Sequence, residues 1–175
     1  LLPVEEEGRL NDPRLRENFI ARVFTLSRWK TLLANGLTPA RLVDFHARHK
    51  FLLLAHDTQA YRQLGRLVAE SGSRHLQSLA DEYIALMMET LKRCASPKGH
   101  VNVMQHLMGF LKRDIGAEDK RELMDAIETY GRGEYPLVVP VKLLQHHFRR
   151  NPNGYVSSQY YLNPHPRVLS LRNSL

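Results

Sequence analysis

Phe45-His46-Ala47-Arg48-His49-Lys50-Phe51-Leu52-Leu53-Leu54-Ala55-His56 is the stretch on which the fold turns. Thr38 and Pro39 precede it as a capping hydroxyl followed by a proline suited to the first helical position. From there Leu42, Phe45, His49, Leu52 and His56 recur at spacings of three and four, which predicts a helix ending near His56. The run Phe51 to Ala55 makes this helix apolar nearly all round, so it belongs at the centre of a helical assembly.

The neighbours on both sides obey the same period. Asp12-Pro13 starts a helix carrying Leu15, Phe19, Val23, Leu26, Trp29 and Leu33, and Asn35-Gly36 stops it. After the central helix come segments at about 58–70 and 74–95, then the break Ser96-Pro97-Lys98-Gly99. Two more follow at about 100–114 and 118–130. A seventh is marked by Val141, Leu144 and Phe148, after a link bracketed by Pro136 and Pro140. No pair of segments alternates with period two. The expectation is an all-α fold: a single helical bundle of about six to seven helices, with an extended N-terminal arm and an irregular C-terminal tail. At 175 residues and 43% hydrophobic content, one core is the expected outcome.

Composition narrows the function. The longest apolar run falls far short of the roughly 18 residues a spanning helix needs, so no membrane partner is expected. Cys94 is the single cysteine, which rules out an internal disulfide framework and any all-cysteine metal or cluster site within the chain, and fits a cytoplasmic location. It reads better as a small core residue than as a nucleophile. The net charge is +7, and from Tyr135 onward there is no Asp or Glu, while Lys142, Arg149, Arg150, Arg167 and Arg172 all fall there. That end attracts anions, either as a solvated basic surface or as a phosphate contact.

Several polar residues are candidates for binding. His46 and Lys50 lie four apart on one face of the central helix, whereas His49 and His56 share another face and read as core histidines with local partners. Asn102, His106, Gly109 and Arg113 form a polar stripe on the fifth helix, with room at Gly109 for a neighbouring helix or a ligand. Tyr61 and Arg62 follow the central helix, and His146, Arg149, Arg150 and Gln159 accompany tyrosines 155, 160 and 161 near the basic end. Rings beside cations can stack bases and hold phosphates, or the tyrosines can simply pin the tail, the reading preferred for Tyr155. No nucleophile–base pair, glycine-rich phosphate loop or three-ligand metal set is legible, so no catalytic residue and no cofactor are assigned to this chain.

The segment 45–56, with Tyr61 to Gly65, His100 to His106, Tyr130 to Leu137, Pro140 to His146, Gln159 and the closing Pro166 to Arg172, resembles the YbgA-like family, a domain of unknown function. The resemblance runs from Asp12 to the end, which divides the chain into an arm, 1–11, and the helical domain, 12–175. The opening Leu2 to Leu10 and Leu15 to Phe19 resemble the junction of two-domain proteins in which this domain follows the catalytic half of TudS-type thiouracil desulfidases. That likeness implies a covalently linked N-terminal domain absent here, holding a [4Fe-4S] cluster on its own cysteines and acting on thiolated uracil compounds. The chain would then be a non-catalytic accessory domain that aids nucleotide or RNA binding or docks on the cluster domain, with Glu5, Glu6, Glu7 and Arg9 as docking residues. The alternative is a purely structural, stabilising or oligomerising domain without a ligand.

Overall fold

The computed structural model describes residues 2–166. They fold into helices only: a short 3-10 helix, Glu7–Asn11, then α1 (Pro13–Ala34), α2 (Pro39–His56), α3 (Thr58–Ala69), α4 (Leu76–Thr90), α5 (Pro97–Gly109), α6 (Ala117–Gly131), α7 (Val138–Arg150) and the single turn α8 (Gly154–Ser157). Local chemistry explains most of the starts. Asp12 accepts from the backbone N–H of Arg14 and Leu15, Thr38 from Arg41, Asp57 from Gln59 and Ala60, and Ser96 from Gly99, with proline in the first turn of α1, α2 and α5. Gly36 and Gly133, at φ of +90° and +82°, provide the left-handed turns after α1 and α6.

The bundle is built around α2, as its sequence requires. One face of α2, with Leu42, Phe45, Leu52 and Leu53, packs into a core shared with Trp29 of α1, Leu64 of α3 and Tyr83 and Met87 of α4. Its other face, with Phe51 and Ala55, enters a second core formed with Met104 and Leu107 of α5, Leu123 and Ile127 of α6, Val141 and Leu144 of α7, and Val156 and Tyr161 beyond them. The C-terminal half of α2 is enclosed by the two cores, which explains the run Phe51 to Ala55, whereas its first turns keep Arg41, Asp44 and Arg48 exposed to solvent.

The observed elements depart from the sequence reading in instructive places. Ser96-Pro97 is a helix start, not a break, and places Gly99 at the crossing of α5 over α2. A Cβ at Gly99 would lie 2.1 Å from the Ala55 carbonyl oxygen, whereas one at Gly109 would meet nothing within 4 Å, so the close approach belongs to Gly99. Pro140 lies inside the first turn of α7, where its missing N–H costs nothing. The arm is extended only to Glu6. From Asn151 to Pro166 the tail is irregular apart from α8 yet packed: Gln159, Tyr161 and Leu162 are buried. The buried face of α1 is Ala21, Arg22, Thr25, Leu26 and Trp29, while Leu33 is exposed. Arg167 and Arg172 lie outside the described residues.

Candidate nucleic-acid interface and a separate cleft

Where α2 meets α5 and α8, four side chains form a basic aromatic platform. Phe51 is buried and forms its base. The Phe110 and Tyr155 rings stand edge-on to it at 6.4 and 6.2 Å and lie tilted against each other at 5.7 Å, each still 39% exposed. Lys50 holds its ammonium 5.4 Å from the Phe51 centroid and 5.9 Å from that of Tyr155. Arg149 and Arg150 are exposed at the end of α7, six and five residues before Tyr155, and Lys112 and Arg113 come two and three residues after Phe110. Tyr155 packs against Phe51 and Phe110, a contact compatible with pinning the tail, and Phe110 had no place in the sequence reading.

The other candidates are dispersed. Asn102 and His106 are exposed on α5, His146 on α7 and Arg62 on α3. His46 belongs to the first core: its ring lies parallel to Tyr61 at 5.2 Å, and its Nδ1 shares a hydrogen bond of 3.1 Å with the Tyr83 hydroxyl. Burial pushes its pKa down to about 4. The polar stripes of α2 and α5 thus face different surroundings. Gln159 donates from Nε2 to the Ala47 carbonyl at 2.9 Å and Tyr160 from its N–H to Arg48, which ties the tail across α2. Beside them the Arg28 guanidinium lies 3.8 Å from the Tyr160 ring centroid and donates to the Pro164 carbonyl. Glu5 and Arg9 of the arm pair with each other at 3.4 Å, while Glu6 and Glu7 are exposed.

His49 donates from Nδ1 to the Phe45 carbonyl at 2.7 Å, is fully buried, and is pushed by that burial down to about 3. His56 stands between two acceptors, the Leu52 carbonyl at 2.8 Å from Nδ1 and Asn18 Oδ1 at 3.0 Å from Nε2, and a neutral ring donates to only one of them. Burial lowers its pKa.

His56 and Asn18 belong to a cleft of about 520 Å³ that no spacing pattern announced. The start of α1 supplies Arg14, Glu17 and Asn18, and the ends of α2 and α6 supply His56 and Tyr130. The first turns of α5 and α7 supply Pro97, His100 and Val138. Leu52, Ala95, Pro136 and Leu137 give it an apolar wall. Burial pushes the Tyr130 phenol up to about 12 and raises the Cys94 thiol, which also lines the cleft, so neither is ionised near neutral pH. Among the described residues no group of three or more His, Cys, Asp or Glu is placed to hold a metal ion, and no helix is long and apolar enough to cross a membrane.

Comparison with known proteins resolves the lineage. The model of a family described as protein of unknown function (DUF1722) matches residues 50–166. The chain belongs to that family. It is also 32% identical over 166 residues to the uncharacterized protein YbgA of Escherichia coli (strain K12), a match covering 94% of this chain and 98% of that relative. No solved structure matches the chain. The stretch matched by the DUF1722 model takes in all four platform residues and the α5, α6 and α7 walls of the cleft. The α1 wall lies before it. The match takes in nearly the whole length of the YbgA relative.

Proposed function

We propose that this domain is a non-catalytic binding module for nucleotides or single-stranded RNA, serving as an accessory to a desulfidase-like N-terminal domain that carries a [4Fe-4S] cluster. The observation that carries the reading is the platform: two half-exposed rings, Phe110 and Tyr155, held at 5.7 Å with the Lys50 ammonium beside them, in a chain of net charge +7. Stacking of a base on such a ring contributes about 1–3 kcal/mol regardless of base identity. Lysine and arginine supply the phosphate contacts that make the affinity salt-dependent. Lys50 sits on the platform, Arg149 and Arg150 lie close to it in sequence, and exposed His106 stands one turn before Phe110 on α5. Buried His46 and Gln159 act through the packing of α2 and the tail. Within a two-domain protein, the arm with Glu5, Glu6, Glu7 and Arg9 is the docking segment, and the cytoplasm is the compartment this role requires.

Fluorescence anisotropy with short single-stranded RNA and with uridine monophosphate tests the reading. Saturable binding at low salt that weakens at physiological salt, and weakens again in Lys50→Gln and in Arg149→Ala/Arg150→Ala, supports it. A folded protein with no affinity for either probe at low salt supports the structural, ligand-free alternative.

A further inference from the structure

The cleft offers chemistry that the platform does not use. Arg14, exposed at its rim, makes no ion pair and no side-chain hydrogen bond among the described residues, and the Tyr130 hydroxyl likewise has no hydrogen-bond partner among them. The start of α7 adds a third donor: Leu137 provides no side-chain cap, and the Val138 N–H has no partner among the described residues. The main acceptors already have partners: Asp12 Oδ1 takes two N–H groups of the α1 backbone, Asn18 Oδ1 faces His56, and Glu17 is engaged. Three open donors beside the apolar wall of Leu52, Ala95, Pro97, Leu137 and Val138 describe a site for a molecule with a negatively charged, acceptor-rich head and an apolar body. The volume of about 520 Å³ lies within the range of small-molecule sites, roughly 300–1,000 Å³.

We infer that the cleft between the N-terminal ends of α1, α5 and α7 is a binding site for a small organic anion, a phosphate monoester or carboxylate with an aromatic or aliphatic body, its head on Arg14, Tyr130 and the first turn of α7. The site is separate from the platform: neither Lys50, Phe110 nor Tyr155 lines it.

Heteronuclear NMR titration of the full chain with phenyl phosphate, benzoate, inorganic phosphate and benzylamine is the test. Phenyl phosphate is expected to bind with a dissociation constant on the order of 1 mM or below, as a ligand of this size with modest efficiency does. Its shifts should fall at Ala95, Leu137 and Val138. Benzoate should shift the same residues, inorganic phosphate should bind more weakly for want of a body, and benzylamine should not bind. Arg14→Gln, at an exposed position, should weaken phenyl phosphate about tenfold, Tyr130→Phe should weaken it less, and Lys50→Gln should leave it unchanged. Benzylamine binding as tightly as phenyl phosphate, unaltered affinity in Arg14→Gln, or shifts confined to Phe110 and Tyr155 and abolished by Lys50→Gln would each overturn the inference.

Discussion

His49 shows how burial sets chemistry at single residues. Its Nδ1 is bonded to the Phe45 carbonyl, its Nε2 has no hydrogen-bond partner among the described residues, and the side chain is fully buried. Folded His49 therefore takes up a proton only near pH 3, and His46 near pH 4, whereas both do so near 6.5 in the unfolded chain. Between those values the unfolded state binds more protons, so stability is fully present above about pH 6.5 and falls as the pH drops toward 4 and then 3. Thermal melting should move to lower temperature from pH 7 to pH 5 while histidine NMR finds both rings neutral at pH 5; titration midpoints near 6.5 would contradict the burial. Arg22 is the cationic counterpart. It is 6% exposed, its Nε has no partner, and no carboxylate pairs with it among the described residues. Arg22→Met should leave stability unchanged or raise it by about 1–2 kcal/mol, because a well-packed apolar chain replaces a poorly compensated charge. Spacing had placed His46 and Lys50 on one face of α2, yet His46 is buried and Lys50 only half-buried. Spacing reports direction around a helix and not depth, so the burial of His46 under Tyr61 and Tyr83 was not legible.

Among the elements, α2 was the most legible because its period, cap and proline agree, and α5 and α7 the least. Ser96-Pro97 has the same start chemistry as Thr38-Pro39, but the glycine two residues later disguised it. Gly99 is there for the crossing with α2: its missing Cβ makes room for the Ala55 carbonyl. Gly99→Ala should destabilise the protein by about 1–3 kcal/mol or more, since backbone must shift. Gly109→Ala, with open space around it, should be tolerated and gain up to about 1 kcal/mol from helix propensity. Equal effects of the two in denaturant unfolding would refute the assigned crossing. The meeting of Tyr155 with Phe110 was not legible for a related reason: it depends on how the turn α8 returns to the end of α5, a tertiary event with no sequence period.

The whole molecule consists of two hydrophobic cores sharing one helix. Phe45 and Phe51 enter different cores from opposite faces of α2, so disturbing either should disturb both. Phe45→Ala and Phe51→Ala should each cost about 3–5 kcal/mol and lower a single common unfolding transition by circular dichroism and by tryptophan fluorescence alike. Two separate transitions would mean that the cores fold independently. The central helix and the all-α class could be read before any coordinates, because both follow from local periods. The cleft could not, because its walls come from the starts of α1, α5 and α7, the ends of α2 and α6, and Pro164.

The proposed function makes the aromatic pair beside Lys50 a nucleic-acid binding surface. Its most direct test is the affinity of the full chain and of Phe110→Ala/Tyr155→Ala for a short single-stranded RNA, measured at low and at physiological salt. Loss of both stacking surfaces should weaken binding at least tenfold, in line with about 1–3 kcal/mol per base, while the dependence on salt keeps the same slope because the phosphate contacts remain. Unchanged affinity in the folded double variant, or no binding by the unmodified chain even at low salt, would contradict the account.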